Sequence, residues 1–208
     1  MAERRVLIVA FDALRPDMVT PELMPNLTRF AGDGVRFANN RSTYPTETRV
    51  NQTALVTGAA PSTHGIVGNR FLDLAASPDK LFNTGDETEL SAGDKRLGGH
   101  LVDTPVLSEI LVENGLDLAV VSAGTPGGCR ILNHKAEAQG FFRFALKRPD
   151  ASVPAERIDA VIDRVGPIPE HRIPSIEWLT YTTNVYLNYI EPEDAPAVTI
   201  LWYCEPDN

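Results

Sequence analysis

The feature that most constrains this chain is an uninterrupted apolar run, Val6 to Phe11, that ends abruptly at Asp12. Six consecutive apolar residues, several of them β-branched, suit a strand buried on both faces of a parallel sheet. A carboxylate directly after such a strand falls at the sheet's carboxyl edge, where α/β folds place their ligands. The run is too short for a secretory leader, whose apolar core needs roughly 7–15 residues. No apolar stretch approaches the roughly 20 residues of a membrane helix. These readings predict a cytoplasmic protein without a membrane partner.

The rest of the chain alternates strand-like and helix-like segments. Leu23, Leu27 and Phe30 share a helical face, closed by Gly32 and Gly34. Residues 35–43 read as a second strand, and a helix follows from Thr48 to Thr57 with Gly58 as its cap. A short strand is expected at 69–72 and a polar surface excursion at 74–103. Thr104-Pro105 opens the next helix, which runs to about Asn114. A strand at 118–121, a Gly-rich loop from Ser122 to Gly128 and a helix through His134 come next. An edge strand at 141–146, helices at 154–165 and 175–189, and a last strand at 198–203 complete the pattern. This order predicts a layered α/β/α fold on a mostly parallel sheet, as one domain over residues 1–208.

Charge and cysteine content narrow the function. With 28 acidic and 19 basic side chains the formal charge is −9. That argues against a nucleic-acid partner, because phosphate neutralisation needs a basic surface. Cys129 and Cys204 stand far apart, with no clustered spacing for a disulfide framework or a structural zinc site. An acidic protein that handles phosphate anions usually needs metal ions to do so.

Three features then fall at strand ends or helix starts: Asp12, the segment Tyr44-Pro-Thr-Glu-Thr48, and Glu205-Pro-Asp207. A parallel sheet gathers all three at one edge. Two carboxylates and a hydroxyl are hard oxygen donors suited to divalent cations. Thr48 is the natural nucleophile, since its hydroxyl opens a helix whose N-terminus favours an incoming phosphate. His64 reads as a structural loop residue. His100, His134 and His171 lack ligand spacing and read as surface positions. Trp178, Tyr181, Val185 and Tyr189 share helical spacing and read as packing. A dinucleotide-binding fold is excluded by the sequence Phe11-Asp-Ala-Leu-Arg15, which has no glycine fingerprint after the first strand.

These motifs, together with Met24-Pro-Asn-Leu27, Leu55-Val-Thr-Gly58 and His64-Gly-Ile-Val-Gly-Asn69, resemble the type I phosphodiesterase/nucleotide pyrophosphatase family of the alkaline phosphatase superfamily. The resemblance runs in order along the chain and is densest over residues 6–72. It implies a two-zinc hydrolase of phosphodiester or nucleotide pyrophosphate bonds that works through a phosphothreonine intermediate. Asp12 and Thr48 would bind one zinc, Asp207 the other, and Asn69 would contact a phosphoryl oxygen. The family's histidine four residues after the Glu-Pro-Asp aspartate has no counterpart, because the sequence ends at Asn208. The chain is therefore expected to be the N-terminal part of a longer catalytic domain, with an incomplete zinc set. An inactive fragment is the alternative that follows. Arg49-Val50 stands where many nucleotide-cleaving relatives carry Phe-Pro. That favours an acidic substrate, as in phosphonoacetate hydrolase-like members of the superfamily. An unpaired sheet edge would also favour a homo-oligomer.

Overall fold

The computed structural model describes residues 4–207; Met1 to Glu3, part of the leader-like start weighed above, and Asn208 lie outside them. In chain order the elements are β1 (Val6–Phe11), α1 (Pro25–Gly32), α2 (Thr48–Thr57), α3 (Pro61–His64), β2 (Arg70–Phe71), β3 (Phe82–Asn83), α4 (Glu87–Arg96) and α5 (Leu107–Glu113). Then follow β4 (Leu118–Ser122), α6 (Pro126–Leu132), α7 (Ala136–Gln139), β5 (Arg143–Ala145), α8 (Arg157–Val165), α9 (Ile176–Val185), α10 (Glu191–Glu193) and β6 (Val198–Tyr203). A π-helical turn at Tyr186–Ile190 joins α9 to α10.

Four strands form one parallel sheet in the order β1-β6-β4-β5, and β2 pairs antiparallel with β3. The last strand of the chain thus lies inside the sheet, between the first strand and β4. All six residues of β6 are buried, as expected for a strand with two partners and two covered faces. Its side chains alternate between layers with the period of two that a strand imposes. Val198, Ile200 and Trp202 join Val56 of α2, Leu90 of α4 and Ile131 of α6. Leu201 and Tyr203 join Val161 of α8 and Trp178, Tyr181 and Val185 of α9. Helices on both faces make this the layered α/β fold that the alternating pattern predicts. Among the described residues no helix is long and apolar enough to cross a membrane.

Four local expectations need correction. β1 is an edge strand, with Val6, Leu7 and Val9 between 40% and 54% exposed, because among the described strands only β6 pairs with it. Residues 35–43 form no strand. Val35 and Phe37 are strongly exposed there, and no neighbouring strand accepts their backbone groups. The supposed polar excursion contains α4, capped by the Asp86 carboxylate, which accepts from Glu89 N at 3.0 Å. Leu90 of α4 is fully buried, and Gly93 is required, because a Cβ there would lie 2.8 Å from the Phe82 ring. Finally, α5 starts at Leu107 rather than at Thr104-Pro105, with the Glu109 carboxylate accepting from Val106 N at 2.9 Å.

Candidate active site

β1, β4 and β6 run parallel, so their carboxyl ends share one edge of the sheet. Asp12 is the first residue past β1, and its N–H still donates to Tyr203 O at 3.0 Å. The chain then turns sharply. Ala13 adopts a left-handed φ of 59°, and Leu14 N donates back to Phe11 O at 3.3 Å. A non-glycine residue in that region costs about 1–2 kcal/mol. The outlier directly follows the candidate metal ligand.

Thr48 is the first residue of α2, and its hydroxyl donates to Oδ2 of Asp12 at 3.3 Å. Trp202, on β6, donates its indole N–H to the same oxygen at 3.3 Å. Asp207 lines the same cavity, a space of about 60 Å3 whose walls include Arg49, Gln52 and Trp202. The three carboxyl-edge residues singled out in the sequence therefore meet. They also line a larger open groove of about 790 Å3 that extends past Leu14, Asn51 and Leu55. Burial raises the Asp12 pKa, and the nearby Asp207 charge raises it further. Hydrogen bonds from Trp202 and Thr48 and the charge of Arg49 oppose that rise. Burial lowers the Arg49 pKa, against the pull of Asp12, Glu47 and Asp207.

Asn69 sits one step aside. Its Oδ1 accepts from Arg49 N at 3.2 Å, so it caps the first turn of α2. Its own N–H donates to the Glu47 carboxylate. The side chain lines a neighbouring cavity rather than the one around Asp12 and Thr48. With Oδ1 engaged, its amide NH2 is the remaining donor of the side chain.

The donor set suits a divalent cation in kind. Two carboxylates and a hydroxyl line one space, and the Asp207 charge raises the Asp12 pKa. Among the described residues, no group of three or more His, Cys, Asp and Glu side chains is gathered as a metal site.

The histidines divide. His64 is fully buried, and its Nδ1 accepts from Ile66 N at 3.2 Å, the loop-holding role expected of it. His134 is buried rather than at the surface, and burial pushes its pKa down to about 4. His171 lines the candidate cavity, its ring packed 4.3 Å from that of Trp178 and its Nε2 3.1 Å from Ser175 Oγ. The loop after β4 also reaches the site: Ala123, Gly124 and Thr125 line the cavity, and Thr125 Oγ accepts from Gly128 N at 3.2 Å to cap α6. Sequence reasoning missed Trp202 and Gln52. Trp202 carries a readable signal, since it lies second from last in the final strand. Gln52 lies four residues, about one helical turn, beyond Thr48 and so faces the same way.

A sequence profile described as type I phosphodiesterase / nucleotide pyrophosphatase matches residues 6–208. The bis(5'-adenosyl)-triphosphatase enpp4 of Xenopus laevis is 35% identical over 82 residues, covering 39% of this chain and 18% of that protein. A venom phosphodiesterase of Macrovipera lebetinus is 40% identical over 52 residues, covering 25% of this chain and 6% of that protein. The matched segments thus span less than a fifth of those relatives. The phosphonoacetate hydrolase of Sinorhizobium meliloti 1021, solved in complex with phosphonoacetate, superposes with a TM-score of 0.69 at 21% identity. That superposition covers 98% of this chain and 46% of the hydrolase, and it carries the fold alone.

Proposed function

The chain belongs to the type I phosphodiesterase/nucleotide pyrophosphatase family, and from that membership we propose that it performs metal-dependent hydrolysis of phosphate esters, with Thr48 as the nucleophile. The observation that carries this reading is the 3.3 Å approach of the Thr48 hydroxyl to Asp12 Oδ2, in a cavity shared with Asp207. Asp12 and Thr48 would hold one zinc and Asp207 would contribute to a second. Zinc, when bound, supplies the positive charge that favours the threonine alkoxide and offsets charge developing in phosphoryl transfer.

The chain's own groups do the rest. Asp12 orients the Thr48 hydroxyl and takes up its proton or passes it on. The position of Thr48 at the start of α2 aims Oγ and adds the positive end of the helix dipole beneath the phosphate. The Asn69 amide donates to a phosphoryl oxygen. Thr48 Oγ bonds to phosphorus as the ester oxygen leaves, and water then hydrolyses the phosphothreonine. The substrate is a small phosphorylated molecule.

A second reading, hydrolysis of a phosphonate or phosphomonoester, is favoured by one observation. Arg49 and Lys147 both line the cavity, which suits a substrate with a further acidic group. The structurally similar Sinorhizobium hydrolase was solved with phosphonoacetate, which carries one.

The test is Thr48→Ala, assayed on bis(p-nitrophenyl) phosphate with zinc present. A loss of about a thousandfold or more in turnover with unchanged folding is expected. Equal turnover by the variant, or no zinc-dependent turnover by the wild type, contradicts the reading.

A further inference from the structure

Gln52 is 1% exposed, and its Oε1 is buried without a hydrogen-bond partner among the described residues. The side chain nevertheless has a fixed place. It lies against the first turn of α6, where a Cβ at Gly128 would stand 2.7 Å from Oε1 and 3.2 Å from Nε2. Glycine at 128 thus makes room for the carboxamide. Gln52 lies one helical turn beyond Thr48 on α2, and helix side chains lean toward the N-terminus, so the amide lies beside the turn that Thr48 opens. It borders the same cavity as Asp12, Thr48 and Trp202.

A second unpartnered atom belongs to the same cavity wall. Arg49 Nε is buried and has no acceptor among the described residues. Arg49 and Gln52 stand at i and i+3 on α2, and side chains so spaced are neighbours on one helix face. Nε only donates, and Oε1 only accepts. Buried polar atoms left unpaired are costly, so the pair calls for a group that serves both. A phosphate or carboxylate oxygen would satisfy Nε but brings no hydrogen to Oε1. An ammonium group would satisfy Oε1 but accepts nothing from Nε. A hydroxyl does both.

We propose that Arg49 Nε and Gln52 Oε1 form a subsite for a free alcohol hydroxyl of the substrate, beside the phosphorus attacked by Thr48. The hydroxyl accepts from Nε and donates to Oε1. The inference rests on the reading of Thr48 given above and narrows it. The preferred substrate is a phosphate ester whose alcohol arm carries a further hydroxyl within a few bonds of phosphorus, as a diol or polyol ester does. An analogue without that hydroxyl leaves two buried groups unpaired, which is the basis of the selectivity.

The test reads binding rather than turnover. The full chain with zinc is titrated by calorimetry with ethylene glycol monophosphate and separately with ethyl phosphate, which differ by one hydroxyl. The glycol ester is expected to bind about tenfold more tightly. Gln52→Met keeps the length of the side chain and removes the carbonyl acceptor. It should erase the preference and leave ethyl phosphate binding within about twofold of wild type. The wild-type comparison holds whether or not the variant folds. Thr48→Ala should keep the preference for the glycol ester while losing turnover. The same preference with turnover unchanged would refute the nucleophile and spare the subsite, so the two failures give different results. Equal binding of the two esters by the wild type, which would assign the position to water, overturns the proposal. So does binding of neither ester, or a preference that survives in folded Gln52→Met.

Discussion

Trp202 donates its indole N–H to Oδ2 of Asp12 at 3.3 Å, the same oxygen that accepts the Thr48 hydroxyl. Both donors share one carboxylate oxygen, which in the proposed mechanism would leave Oδ1 for a cation. In that mechanism Trp202 would remain the donor to the carboxylate after Thr48 gives up its proton. Outer partners of this kind orient metal ligands and tune affinity.

Trp202→Phe keeps an aromatic ring in the sheet and removes the N–H. Zinc affinity should fall about 10- to 100-fold, as measured by competition with a chromophoric chelator. Wild-type affinity in the variant would show that the indole does not position Asp12.

His134 provides a pH signature of the fold. Burial holds its pKa near 4, below the ordinary value of 6.5. The unfolded chain therefore binds a proton in that window while the folded chain does not. Stability from this group is fully present above about pH 6.5 and is lost as pH falls toward about 4, by an amount on the order of a few kcal/mol. His134→Leu should flatten urea-unfolding stability across that range. An equally steep pH dependence in the variant would assign the loss to other groups.

Gly127 lets α6 pass against the segment before α4. A Cβ there would lie 2.3 Å from Thr84 O and 2.6 Å from the carbonyl carbon of Gly85, both backbone atoms that cannot swing aside. Gly127→Ala should cost about 2 kcal/mol or more, read from the urea midpoint at constant slope. An unchanged midpoint would mean that the two segments separate freely.

The legible parts of the sequence were those where local chemistry and tertiary position agree. The break from Phe11 to Asp12, the helix opening at Thr48 and the last apolar strand before Glu205-Pro-Asp207 each mark a strand end or helix start, and the parallel sheet brings them together. The misread parts depend on partners far along the chain. Val35 and Phe37 alternate as a strand would, but a strand exists only through pairing, which local pattern does not encode. β1 is apolar enough for a central strand, yet its place in the order is set by β6, nearly 200 residues away. α4 is polar on most of its length and reads as surface, while its cap and one buried leucine hold it in the core. Trp202 was hidden as another apolar residue in a buried strand, because its role lies in a single N–H.

The central claim is that Asp12 and Thr48 hold a divalent cation, with Asp207 on the same cavity wall as a ligand of a second. Anomalous diffraction at the zinc edge, from crystals of the chain grown with zinc, tests it most directly. The account predicts a peak about 2.0–2.2 Å from an Asp12 oxygen, bordered by Thr48 Oγ, with Asp207 on the same cavity wall. Zinc bound only at sites remote from Asp12 and Thr48, or no ordered zinc at all, would contradict it.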